Sequence, residues 1–189
     1  MPLAILVLLA CGGPAHAARW VVDDENSRLG FVASWAGEPF TGTFRRFQAD
    51  MEFDPDRLAA SRFEVSVDVT SADTRNRDRD REMGRPAWFD FERFGAAGFV
   101  TTGFHRLGPD RYEAEGVLTI KGVSRPIALP FTWRQADGAA RMHATVVLDR
   151  TAFGVGEGEF ATGEEVGRDV RVDVDLLLVS PSEHGECEC

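Results

Sequence analysis

Three groups of side chains in this 189-residue chain are of types that could do chemistry. The first is Ser27, Ser124, His105 and His143, which could supply a nucleophile and a base. A serine nucleophile needs a base within hydrogen-bond reach, and in hydrolases it often stands on a G-x-S-x-G turn. The run Gly122-Val123-Ser124-Arg125-Pro126 lacks the second glycine, and no base stands beside either serine. His105 and His143 fall in two different strand segments, with no Glu or Cys at ligand spacing. The second group is Cys187 and Cys189 with His184 in "EHGECEC". Two thiolates and an imidazole suit a soft metal, but three ligands on a terminal stretch define no pocket. Residues 181–189 therefore read as a polar, disordered Cys-x-Cys tail, in which metal binding and a disulfide both stay open. The third group, Arg75, Arg77, Arg79, Arg81 and Arg85, could grip a pyrophosphate by bidentate pairing. Asp73, Asp78, Asp80 and Glu82 nearly cancel those charges, so a solvated charged face is expected. No catalytic residue, metal site or cofactor is assigned, and the chain is expected not to be an enzyme.

What remains is apolar surface and the elements that must arrange it. Phe63, Val65, Val67 and Val69 alternate with Glu64, Ser66, Asp68 and Thr70, the period of a half-buried strand. The same alternation runs through Leu29–Trp35, Tyr112–Ile120, Ile127–Trp133, Met142–Leu148 and Val170–Val174. Adding "FTGTFRRFQADMEF" and "GFVTTGF" gives about eight strands, with "RWVV" as a short edge piece. Asp54-Pro55-Asp56, Gly108-Pro109-Asp110 and Ala136-Asp137-Gly138 supply turn chemistry between them. Short strands joined by tight turns predict an antiparallel meander, sandwich or barrel. Eight strands suit a barrel, because closure removes exposed edges. The fold class is therefore all-β: an eight-stranded antiparallel barrel with one short helical crossover. That crossover is residues 71–94, where Arg75/Asp78, Arg77/Asp80, Arg79/Glu82 and Asp78/Arg81 stand at i,i+3 spacing. It continues into "AWFDFERF", and a connection this long is often a lid or binding loop.

An inward-facing set follows from the alternation: Phe31, Trp35, Phe44, Phe99, Leu118, Ile127, Leu129 and Phe131. Any one of these is most simply core; together they would line whatever the interior holds. Ala114 and Gly116 are small and inward, so they mark the expected space. Glycines at 30, 42, 103 and 116 would weaken packing or open room. Trp88, Phe89 and Phe91 on the crossover either plug the base or form the mouth.

The first 17 residues stand apart. "LAILVLLA" is too short for a membrane span, which needs roughly 20 apolar residues. Followed by Ala15-His16-Ala17, it reads as a secretory signal cleaved after Ala17, with a domain over residues 18–180. Leu8-Leu9-Ala10-Cys11 loosely resembles a lipobox, so a lipoprotein anchored at Cys11 is the rival. The expected location is periplasmic or secreted. Formal net charge is −10, which disfavours nucleic acid and anionic membranes. Lys121 is the only lysine, a skew that carries no functional reading.

Several pieces in order resemble one family. "GVLTIKGVSRPIAL" is similar to a signature of the YceI-like family of secreted bacterial polyisoprenoid-binding proteins. "WVVDDENSRLGF" resembles its opening strand, and "FTGTFRRFQADMEFDP" its G-x-F-x-x-F segment. "TRNRDRDREMGRPAWFDFERFGAAGF" is similar to its charged crossover, and "LDRTAFGVG" with "VGRDVRVDVDLLLV" to its closing strands. The resemblance spans residues 20–179. Phe94-Gly95 and Gly84-Arg85-Pro86 depart from the family's usual crossover residues, and the Cys-x-Cys tail has no familiar counterpart. The resemblance implies a lipocalin-like barrel that carries or stores one long isoprenoid chain, such as a quinone tail or polyprenyl phosphate. Its lining would be Phe31, Trp35, Phe44, Trp88, Phe89, Phe99, Ala114, Leu118, Ile127, Leu129 and Phe131. Other readings are a barrel for a fatty acyl chain or another amphiphile, and a packed barrel serving as an envelope protein-interaction module. No stable membrane insertion is expected; oligomeric state, including a dimer, is left open.

Overall fold

The computed structural model describes residues 17–181; all of the proposed signal except its last residue, Ala17, lies outside the described residues, as do Cys11, His184, Cys187 and Cys189. The strands are β1 (Arg19–Val22), β2 (Arg28–Trp35), β3 (Glu38–Phe44), β4 (Phe47–Glu52), β5 (Arg62–Asp68), β6 (Ala72–Asp73), β7 (Ala96–Arg106), β8 (Arg111–Ile120), β9 (Val123–Ala136), β10 (Ala139–Asp149) and β11 (Asp169–Val179). These segments make eight staves. β1 and β2 are one long strand interrupted by a 3₁₀ turn at Asp24–Asn26, and β3 and β4 are another, bent at Arg45-Arg46. All neighbours pair antiparallel in chain order, and β11 returns to pair with both β1 and β2. The result is a closed eight-stranded antiparallel meander.

Two-residue turns set the register of its hairpins. Ala36-Gly37, Lys121-Gly122 and Asp137-Gly138 all have positive φ at both positions, the geometry whose twist matches antiparallel strands. The Lys121-Gly122 turn lies between paired Ile120 and Val123, so the "LTIKGVSRPIAL" run is one continuous hairpin. Its second strand carries Pro126 and Pro130. Trp133 N–H points to the β8 side, donating to Asp110 O, so even-numbered residues of β9 face β10. Pairing with β10 stops at Phe131↔Ala144. The prolines therefore sit where the missing N–H has no partner strand to serve.

Among the described residues one α-helix occurs, α1 (Arg77–Met83), inside the expected crossover. Asn76 caps it, its side-chain oxygen accepting from Asp78 N–H and Arg79 N–H. The ion pairing differs from the spacing-based expectation. Arg81–Asp78 forms, but Asp80 instead accepts from the Thr74 backbone N–H and hydroxyl, and Glu82 pairs with Arg85. Thr74 is buried, so the nearby carboxylate serves that donor pair before an exposed arginine.

The interior has two parts. At one end Trp20, Phe53, Phe63, Phe104, Tyr112, Phe131 and Trp133 fill the barrel. Phe53 lies 4.7 Å from Trp133 and Phe63 4.8 Å from Phe104, centroid to centroid, within the range of favourable aromatic pairs. Ala114 is fully buried in this plug, and Phe131 stacks on Tyr112 there. A smaller cluster, Trp88, Phe153, Val155 and Val166, packs at the opposite end.

Candidate ligand-binding cavity

Between the two clusters the barrel is hollow, with a cavity of about 880 Å³. Its floor is the top of the aromatic plug: Met51, Phe63, Leu129, Met142 and Leu176 are buried and also face the space. Its walls come from inward positions on successive strands, including Ala49, Val65, Val67, Ala97, Val146, Val170, Val172 and Val174. Its mouth lies among α1, the β2–β3 hairpin and the 150–168 segment, where Arg79, Trp35, Phe40 and Phe160 line it. The volume falls toward the upper end of the range for small-molecule sites.

Nine residues of the expected lining face this space: Phe31, Trp35, Phe44, Trp88, Phe89, Phe99, Leu118, Ile127 and Leu129. Ala114 and Phe131 do not, and this corrects the expectation. Both point inward, but at the depth where the plug closes the barrel, so an inward direction alone does not put a side chain on the cavity. The glycine expectation is corrected in the same way. A Cβ on Gly116 would stand 2.6 Å from the Phe99 ring, and one on Gly42 would collide with the Phe31 ring. Those glycines make room for flat aromatic rings laid across the neighbouring strand. Gly103 marks a bulge in β7, where the register with β8 shifts after Thr101.

The crossover aromatics separate by depth. Trp88 is buried in the upper cluster and Phe89 borders the cavity, so both belong to the mouth end rather than the base. Phe91 packs over Gly84, whose absent Cβ would lie 2.7 Å from its ring.

Two basic residues hold the mouth's rear wall. Arg150 is buried, and all five of its N–H groups are spent on backbone carbonyls. Nε donates to Gly167 O at 3.0 Å. Nη1 donates to Val155 O at 2.7 Å and to Gly156 O at 3.1 Å. Nη2 donates to Phe160 O at 2.5 Å and to Val166 O at 2.6 Å. The guanidinium also lies 5.2 Å from the Trp88 ring. Burial lowers its pKa, Asp149 pulls it back up, and it stays protonated at neutral pH. Lys121, on the hairpin turn, donates to Pro86 O, Gly154 O and Glu157 Oε2, fastening three separate segments. Neither role could be read from spacing, because each depends on carbonyls brought together by long-range folding.

The candidate acid–base groups are dispersed. His105 lies 3.4 Å from Glu115 and His143 3.2 Å from Asp175, both exposed on the barrel's outside. Ser124 Oγ shares a hydrogen bond with Thr119 Oγ1, and Ser27 Oγ donates to Leu177 O. None of these residues borders the cavity.

The chain matches the YceI-like domain over residues 20–178. It belongs to the YceI-like family. A UPF0312 protein of Vibrio parahaemolyticus is 32% identical over 130 residues, 67% of this chain and 68% of that protein. The crystal structure of BcnA from Burkholderia cenocepacia superimposes with a TM-score of 0.80 at 28% identity, covering 82% of this chain and 98% of that one. A polyisoprenoid-binding domain from Saccharophagus degradans shares the fold at TM-score 0.68 and 13% identity, covering 87% of this chain and 99% of that domain.

Proposed function

We propose that this YceI-like barrel binds and carries one long apolar chain of isoprenoid type, a quinone tail or polyprenyl group, without chemistry of its own. The observation that carries the reading is a cavity of about 880 Å³ with a closed floor and apolar walls. A packed protein-interaction module would have no use for such a void, since a void forfeits dispersion contacts along its whole lining. Each buried CH₂ of a ligand is worth about 0.8 kcal/mol, so an apolar chain repays that loss. The name of the Saccharophagus domain, whose fold this chain shares, favours isoprenoid over fatty acyl chains. No described helix is long and apolar enough to cross a membrane.

Residues 3–10 with the Ala15-His16-Ala17 motif support export, with the barrel working in the periplasm or beyond. N-terminal sequencing that finds Ala18 first in a periplasmic fraction supports this part; Met1 in cytosolic material refutes it. For the cargo, native mass spectrometry on protein purified from its own host should find an apolar ligand at one per chain. Protein that is consistently empty, and that takes up no prenyl chain when incubated with one, would refute the carrier reading.

A further inference from the structure

The polar side chains on the cavity wall are concentrated at the mouth, and nearly all are already engaged. Asn76 caps α1, Asp78 pairs with Arg81, Glu82 pairs with Arg85, and Arg150 is spent on five carbonyls. Glu159 is exposed to solvent. Arg79 is different. It is half-buried, and its guanidinium lies flat over the Phe40 ring at 3.8 Å. Among the described residues it makes no ion pair and donates no side-chain hydrogen bond. An arginine stacked in this way keeps its five donors in plane and free at the edges, where they match two oxygens of a phosphate or carboxylate. The cavity floor is closed, so an apolar chain must lie with its tail at the plug and its polar end beside α1.

We propose that Arg79 is the head-group position of this cavity, and that the chain it prefers ends in an oxyanion, a phosphate or a carboxylate. This rests on the carrier reading and narrows its ligand class. A methylene takes up about as much room as a water molecule, roughly 30 Å³, so the cavity holds a chain on the order of 30 carbons at most. A 20-carbon prenyl probe fits within that limit.

The test uses the full-length protein and three probes with one chain: geranylgeraniol, geranylgeranyl monophosphate and geranylgeranoic acid. Binding is followed by displacement of a fluorescent lipid at low salt. At least one anionic probe should bind 10-fold or more tighter than the alcohol, and comparing the two anions shows which oxyanion is preferred. Arg79→Met should bring that ratio near 1 while changing alcohol affinity by less than about 2-fold. Arg77→Met, at an exposed position off the cavity, should leave the ratio intact. A wild-type ratio near 1, or equal loss in both variants, overturns the head-group assignment while leaving the carrier reading standing. Failure of all three probes to bind overturns both.

Discussion

Arg150 offers a sharp test of how the mouth is held together. Replacing it with Met removes a buried charge and its desolvation cost, but strands the carbonyls of Val155, Gly156 and Val166, all on buried residues, along with those of Phe160 and Gly167. A buried acceptor left without a donor costs about 1–3 kcal/mol, so the three deepest lose roughly 3–9 kcal/mol together. Relief of the guanidinium's desolvation offsets several kcal/mol of that. The expected net loss is about 3 kcal/mol. Arg150→Lys keeps the charge but offers at most three donors, so it leaves at least two carbonyls unmet and should cost about the same. Urea unfolding with unchanged m-value gives the magnitude. Amide exchange across residues 150–168 gives the location, since a loop organised by one side chain should lose protection there first. If Arg150→Met lies within about 0.5 kcal/mol of wild type with exchange unchanged, the guanidinium is not the organiser of this wall.

Depth along the barrel predicts opposite outcomes for one substitution. Ala49→Trp projects into the cavity and should displace bound lipid with stability within about 1 kcal/mol of wild type, whereas Ala114→Trp overfills the plug and should cost about 3 kcal/mol or more, read by thermal melting beside lipid extraction. Lys121→Met removes the clasp on Pro86, Gly154 and Glu157 and should raise the lipid off-rate several-fold with a smaller change in global stability, measured by transfer to acceptor vesicles. Asp149→Asn weakens the cap on the Arg150–Phe153 turn and should cost about 1 kcal/mol at pH 7. The Thr151 hydroxyl, foremost, and Arg168 hold the Asp149 carboxyl below its ordinary value of 3.8, so its contribution is complete above that value and is lost as pH falls through the lowered one. The difference between wild type and Asp149→Asn should therefore shrink on acidification below about pH 4, seen in urea midpoints across pH.

The strands and their faces were legible because period 2 is a local property: Phe63, Val65 and Val67 show their inward side in five residues of sequence. The closed eight-stave ring was legible too, from strand number and turn chemistry, and family resemblance added the carrier expectation. Depth was not legible. Ala114 and Leu118 share one face of one strand, yet one lies in the plug and the other on the cavity, because depth depends on what the opposite strands contribute at that level. Arg150, Lys121 and Phe40 were missed for a related reason. Their partners lie on segments distant in sequence or across the mouth, so no spacing rule points to them.

The hollow has a simple physical origin once depth is known. Strand number largely fixes a barrel's diameter, so whether the interior is filled depends on side-chain size at each level. Along β5 the inward residues pass from Phe63 to Val65 and Val67; along β9 from Trp133 and Phe131 to Leu129 and Ile127; along β11 from Leu178 and Leu176 to Val174, Val172 and Val170. Large side chains meet at the same end on all three strands and smaller ones at the other, so the rings close one half and the other cannot fill. At the mouth, Trp88 and Phe89 of the crossover and Phe153 and Phe160 of the 150–168 segment join Trp35 and Phe40 of the staves, with Arg150 and Lys121 fastening the two segments. The crossover and the 150–168 segment, which border the cavity's mouth, are thus held by side-chain hydrogen bonds to carbonyls as well as by packing, whereas the staves are held by strand pairing.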